Sequence, residues 1–399
     1  MFWKAKNKRI YLDYAAATPV RSEVVDAMRP YWSENFGNAS AIHSEGVTAG
    51  KAVDEARSNV ARTLRVRAED ITFTSGGTES NNLILLGSVE AIRQAGIAYS
   101  EMEIISNETE HPSILRVLEE LERKGCRVLY APIDEKGELV IGEFEKLLSP
   151  RTRIVTLAYA NSETGVLTDL NRIGRIVKDY ERKNGIAICF HTDASQAPLW
   201  LSVALDALGV DAMTLDAGKF GGPKGVGVLV HRKQISLEPM FFGGKQESGL
   251  RPGTENVPLL VGMAKALELA QADWKNRALK VSKLRDWLMS ELERDERILV
   301  NGAKDNRLAN NVNISVPGVD TEYAVIVLDA AGVAASTKSA CSGRDSASSH
   351  VVNAMTGDAR RANSTIRFTL GENTTKSDIK STAKILFEHL NTLSSRANS

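Results

Sequence analysis

The sequence predicts an α/β fold: a mostly parallel sheet of seven strands with helices on both faces, joined to a smaller α+β unit. Two observations carry that prediction. Between Ile71 and Val230, seven short β-rich runs alternate with stretches of helical periodicity, and such alternation argues for a parallel sheet covered on both sides. After Pro258 the texture changes to a long charged amphipathic stretch followed by isolated strand-like runs, which suits a second unit with its own small sheet. A chain of 399 residues is also longer than one core usually serves.

Taken in order, the runs are ITFT (71–74), MEIIS (102–106), CRVLYAP (126–132), RIVTLAYA (153–160), IAICFHTD (186–193), DAMTL (211–215) and VGVLV (226–230). GRIVKDYERKNG (174–185) typifies the helical patterns between them. A single long helix is expected over about 258–294, ending in the turn LERDERILVNG (292–302). Strands at NNVNISV (310–316) and STIRFTL (364–370) follow, with helices near 320–331 and 376–394. The expected division gives residues 21–258 to the large unit and residues 1–20 with 259–399 to the small one. STKSACSGRDSASS (336–349) lacks large apolar residues, so it reads as a mobile surface loop.

Acidic and basic side chains number 50 each, and 43% of residues are apolar. With no basic stripe there is no electrostatic reason to expect a nucleic-acid partner. No stretch is apolar enough for a membrane span, and the start MFWKAKNKRI lacks the apolar core of a secretory signal, so the expected location is cytoplasmic. Cys126, Cys189 and Cys341 are too few and too far apart for a disulfide framework or a zinc site. No metal is expected.

In open α/β sheets, ligands bind outside the carboxyl ends of the strands, so the residues just after each run matter most. SGGTESNN (75–82) combines a glycine turn with a helix start, where Gly77, Thr78 and free backbone N–H groups suit a phosphate. Taken alone, an ordinary glycine-rich turn would look the same. HTDASQA (191–197) brings Asp193 to the end of an apolar strand, where an acid needs a cationic partner such as a protonated pyridine nitrogen. A structural or capping acid is the alternative there. LDAGKFGGPKG (215–225) then places Lys219 near the same edge. A phosphate turn, an acid and a lysine in this order are what a pyridoxal-phosphate enzyme needs.

The chain resembles the cysteine desulfurases of the NifS/IscS-like class, fold-type I pyridoxal-phosphate enzymes. The motifs run through nearly its whole length: IYLDYAAATPV, FGNASAIHSEG, TSGGTESNN, NETEHPSI, ANSETGVLTDL, HTDASQA, GKFGGPKGVGVL, FGGKQESGLRPGTENVP and STIRFTLG. The resemblance implies that Lys219 is the Schiff-base lysine and that His111 stacks on the pyridine ring. It implies that Asp193 pairs with the ring nitrogen, that Gln196 bonds the phenolic oxygen with Asn161 or Ser162 beside it, and that Gly77 and Thr78 bind the phosphate. Thr254 matches a residue that reaches the neighbouring subunit's phosphate, which implies a homodimer. Arg367 and Asn38 match the positions that hold the substrate carboxylate, and a guanidinium suits that task. Cys341 matches the nucleophile that takes sulfur from L-cysteine, leaving L-alanine and a persulfide destined for a sulfur-acceptor or iron–sulfur scaffold protein, or for tRNA thiolation.

Two positions depart from the family. Where relatives carry a serine three residues before the lysine and a histidine directly before it, both near the phosphate, this chain has Asp216 and Gly218. Two donors are lost and an acid enters the cofactor-binding set. Two other functions share most of these residues: a selenocysteine lyase or related pyridoxal-phosphate lyase, separable by comparing selenocysteine with cysteine turnover, and a non-catalytic paralogue acting as a binding module, which would show no Schiff-base absorbance.

Overall fold

The computed structural model of the chain describes residues 9–337 and 348–397. After a short strand β1 (Ile10–Tyr11), the expected runs become β2 (Ile71–Thr74), β3 (Glu103–Ser106), β4 (Arg127–Tyr130), β5 (Thr152–Thr156), β6 (Cys189–Asp193), β7 (Ala212–Asp216) and β8 (Gly227–His231). These seven, β2 to β8, form one sheet in the order β2-β8-β7-β6-β5-β3-β4. Only β8 runs against its neighbours, pairing antiparallel with both β2 and β7. The other six strands therefore point the same way, and their carboxyl ends share one edge.

Both faces are buried, which is why the runs read as almost continuously apolar. Side chains alternate between the two faces along each strand. Ile104, Ile154, Cys189, Ala212 and Leu229 enter one core with helices α2 (Gly77–Gln94) and α3 (Pro112–Arg123), while Ile105, Val155, Phe190, Met213 and Val228 enter the other. That second core is closed by α1 (Ser44–Leu64), α4 (Leu170–Asn184) and α5 (Val257–Ala272). The start and stop of α4 are legible in sequence: Asp169 accepts the Arg172 N–H, and Gly185 takes the left-handed conformation that ends the helix.

The single long helix expected over 258–294 is in fact two, α5 and α6 (Trp274–Leu292), broken at Asp273 with φ −139° and ψ 30°. Helix-favouring residues continue on both sides of the break, so the sequence gave no warning. The bend persists because Arg277 caps the open end of α5, donating to the carbonyls of Ala270 (2.8 Å) and Leu269 (3.3 Å) as well as Leu199 (3.0 Å).

A second, antiparallel sheet has the order β12-β10-β9, from β9 (Leu299–Asn301), β10 (Asn311–Ser315) and β12 (Thr365–Thr369), and β11 (Val333–Ala334) pairs with β1. Helices α7 (Thr321–Ala330) and α8 (Lys376–Ala397) accompany it, as expected. The sequence showed β9 only as a turn. Three residues are too few for visible alternation, and side chains hold them in the sheet: Asn301 Nδ2 donates to Asn313 Oδ1 (2.7 Å) and Ser315 Oγ (2.8 Å).

Residues 12–18 strap the two sheets together. Ala15 N–H donates to Thr369 Oγ1 (2.9 Å), Asp13 bridges to Thr369, and Thr18 N–H donates to the Gly218 carbonyl (2.9 Å). The strap lays β12 against the carboxyl edge of the large sheet. Among the described residues, no helix is long and apolar enough to cross a membrane.

Candidate active site

Five of the six co-directional strands end at one cavity of about 120 Å³. Gly77 and Thr78 follow β2, Thr109 and His111 follow β3, Asn161 and Ser162 follow β5, Asp193 and Gln196 close β6, and Asp216 and Lys219 close β7. Ala15 and Ala16 of the strap and Arg367 of β12 complete the wall.

One side carries a relay of fixed polar groups. Asn81 Nδ2 donates to Asp193 Oδ2 (2.8 Å) and to Ser113 Oγ (2.9 Å), while Asp193 Oδ1 accepts the Ser195 N–H (2.9 Å). Ser113 N–H donates to His111 Nδ1 (3.1 Å), with Ser113 Oγ 2.8 Å from the same nitrogen. Nδ1 is therefore an acceptor, which leaves the proton of the neutral ring on Nε2. Pro112 begins α3 directly after His111, so backbone and hydrogen bonds together fix the ring's orientation. Lys219 Nζ donates to the carbonyls of Ala16 (2.7 Å) and Ala15 (3.2 Å), and Gln196 Nε2 to that of Ala15 (3.0 Å).

At the other end lies the start of α2. Gly76 has φ +154°, a conformation closed to most side chains, and a Cβ on Gly77 would lie 3.2 Å from Ser195 Oγ. Glycine at both positions leaves the backbone open to close approach. The Asp216 carboxylate lies here, accepting the N–H groups of Gly77 (Oδ2, 3.1 Å) and Gly218 (Oδ1, 2.9 Å).

Arg367 is only 2% exposed. Its Nη2 pairs with Asp13 Oδ1 (2.9 Å) and its Nη1 donates to the Ser162 carbonyl (2.9 Å), while buried Nε has no partner among the described residues. Asn161 is engaged in shaping its own turn: Oδ1 accepts from Glu163 N, Thr164 N and Thr164 Oγ1, and Nδ2 donates to the Thr109 carbonyl.

Two expected residues stand elsewhere, and a third is not among those described. Asn38 is exposed and accepts the Ser40 N–H (2.9 Å). Thr254 lines a separate hollow with Ser75, Glu247 and Arg251. Cys341 lies outside the described residues, as does most of the loop expected to be mobile, although both flanks are held beside the cavity. Ser336 exchanges backbone hydrogen bonds with Arg367 (2.7 and 3.2 Å), and Ser349 Oγ donates to Glu163 Oε2 (2.5 Å). Cys126 and Cys189 are both buried in the core.

Sequence reading missed Asn81, Ser113, Ser195 and Asp13, whose roles depend on contacts between distant segments. It also missed Glu110, 1% exposed, which accepts the Ala158 N–H (2.8 Å) and the Asn107 amide (3.2 Å). Burial, with Asp193 nearby, pushes its carboxyl from an ordinary 4.5 up to about 8. The folded chain therefore keeps a proton that the unfolded chain loses, and stability falls as pH rises from 4.5 to about 8. Glu110→Gln is expected to remove that slope and to be more stable than the parent by on the order of 3 kcal/mol at pH 8. Urea unfolding at pH 5, 6, 7 and 8 checks it; parallel pH profiles for the two proteins would refute it.

The donor set fits pyridoxal phosphate. An amine, a fixed carboxylate and an oriented imidazole share the cavity, and the buried Ser195 hydroxyl at the start of α2 lacks a partner among the described residues. A profile of the family described as aminotransferase class-V matches residues 10–381. The chain is 39% identical over 392 residues to "Cysteine desulfurase IscS" of Dictyoglomus turgidum, with 97% of each chain covered. A solved "NifS-like protein" superposes with a TM-score of 0.89 at 32% identity, covering 96% of this chain and 100% of that one. Another, "SspA in complex with cysteine", gives a TM-score of 0.78 at 30% identity, covering 92% and 100%. Fold, cavity and relatives agree: the chain belongs to the pyridoxal-phosphate-dependent class-V aminotransferases, in the company of their cysteine desulfurases.

Proposed function

We propose that the protein is a cysteine desulfurase that converts L-cysteine to L-alanine and leaves a persulfide on Cys341. The observation that supports it best is the buried guanidinium of Arg367, facing the same cavity as Lys219: an amino acid can be held by its carboxylate while its Cα lies within reach of an amine. The relatives point to the same substrate, one being named a cysteine desulfurase and another having been solved with cysteine.

Lys219 would hold the cofactor, Asp193 its ring nitrogen, Gln196 and Ser162 its phenolic oxygen, and Gly77, Thr78 and the neighbouring subunit's Thr254 its phosphate, with His111 against the ring face. Asn161 shapes the turn that presents Ser162, and Arg367 would grip the substrate carboxylate, with Asn38 exposed outside the cavity wall. Bound pyridoxal phosphate supplies an electron sink that makes the Cα proton of an amino acid removable. Lys219 Nζ takes that proton and returns one to the carbon skeleton. The Cys341 thiolate attacks the substrate sulfur; the S–S bond forms as the Cβ–S bond breaks with its electron pair going to carbon, so cysteine and thiol become alanine and persulfide without an external oxidant. The sulfur then passes to an acceptor or iron–sulfur scaffold protein in the cytoplasm.

The test measures alanine and sulfide from L-cysteine with a dithiol reductant present. Equal amounts of both are expected, with no turnover of cysteamine, which lacks the carboxylate that Arg367 would hold. Absence of alanine from a cofactor-loaded preparation would refute the proposal.

A further inference from the structure

The start of α2, where a cofactor phosphate would sit, is already claimed by a carboxylate. Gly77 N–H, at the first turn of α2, is the donor best placed for a phosphate oxygen, yet it donates to Asp216 Oδ2 at 3.1 Å, while Gly218 N–H donates to Oδ1 at 2.9 Å. A carboxylate already occupies the amides that an incoming anion needs. Ionised carboxylate and phosphate are both rich in acceptors and poor in donors, so they repel instead of bonding. Beside them, Ser195 Oγ is buried and has no partner among the described residues. It would be 3.2 Å from a Cβ on Gly77 and lines the same cavity as Gly77 and Asp216. Its backbone is pinned by the bond from Ser195 N–H to Asp193 Oδ1, so the hydroxyl cannot drift far from this position. A buried hydroxyl left without a partner is costly and rare, and a phosphate oxygen would satisfy it.

We infer that Ser195 is an additional phosphate-binding residue and that Asp216 is a resident anion opposing the phosphate, so that together they set how tightly this chain retains its cofactor. Ser195 supplies a donor in place of those missing at positions 216 and 218. Asp216 weakens retention, making the bound cofactor exchangeable with the surrounding pool. The inference rests on the pyridoxal-phosphate reading of the cavity.

Equilibrium dialysis of the full chain against pyridoxal phosphate, and separately against pyridoxal, tests both parts. The second probe keeps the ring and aldehyde but lacks the phosphate. Ser195→Ala is expected to weaken retention of pyridoxal phosphate by about tenfold, the loss of one hydrogen bond to a charged group. Asp216→Ser is expected to tighten it by about tenfold or more. Affinity for pyridoxal should change less than about twofold in either variant. Asp216→Asn keeps the shape and one acceptor oxygen, and should also tighten retention if the serine variant does not fold. An unchanged affinity in Ser195→Ala, a loss in both Asp216 variants, or parallel shifts for the two probes would overturn the inference. If the parent chain binds neither probe, the cofactor reading itself falls, and the inference with it.

Discussion

Lys219→Ala is expected to lower the rate of alanine formation from L-cysteine by about 10³- to 10⁴-fold or more, because one amine is asked both to anchor the cofactor and to move the Cα proton. The loss should not come from unfolding. Lys219 Nζ bonds only to the carbonyls of Ala15 and Ala16 among the described residues, and after truncation water can serve both acceptors. The variant should therefore melt near the parent temperature and lack the visible absorbance of a lysine-bound cofactor. Lys219→Arg should fail equally, since a guanidinium keeps the charge but stays protonated and cannot act as a nucleophile or base. Retained turnover in either variant would remove Lys219 from the mechanism.

Cys341→Ala is expected to separate cofactor chemistry from sulfur transfer. Its absorbance should still change on adding L-cysteine, while sulfide release falls to the background of free pyridoxal phosphate and no persulfide can be trapped on the chain. The other cysteines are not equipped to substitute. Burial pushes the Cys126 thiol up to about 11 and raises Cys189 well above the ordinary thiol range, so neither supplies thiolate at neutral pH. The flanks of the segment carrying Cys341 are tied to the backbone of Arg367 and to Glu163, one on the substrate side of the cavity and the other directly after Ser162. Sulfide release at the parent rate from Cys341→Ala would overturn the assignment.

Much of this was legible in the sequence because the fold writes its chemistry at strand ends. Each apolar run ran directly into the polar residue it presents: Thr74 into Gly77 and Thr78, Phe190 into Asp193, Leu215 into Lys219. What stayed hidden depended on three-dimensional closure. Nothing local marks Ser113 as the partner of both His111 and Asn81, or Asp13 as the counterion of Arg367. Asp216 could be recognised as an anomaly from its neighbour Lys219, but the backbone donors it occupies belong partly to a helix that starts 139 positions earlier. The break at Asp273 was missed because periodicity reports which face is apolar and says nothing of a bend stabilised by Arg277.

The strap of residues 12–18 has a mechanical meaning. Asp13 holds Arg367, Ala15 binds Thr369 and accepts from both Lys219 and Gln196, and Thr18 grips the Gly218 carbonyl. One short length of backbone is thus a tie-rod between the group that would grip the substrate and the amine that would work on it. A tilt of the small sheet would pull on both ends at once, gearing substrate seating to amine position through this one strap.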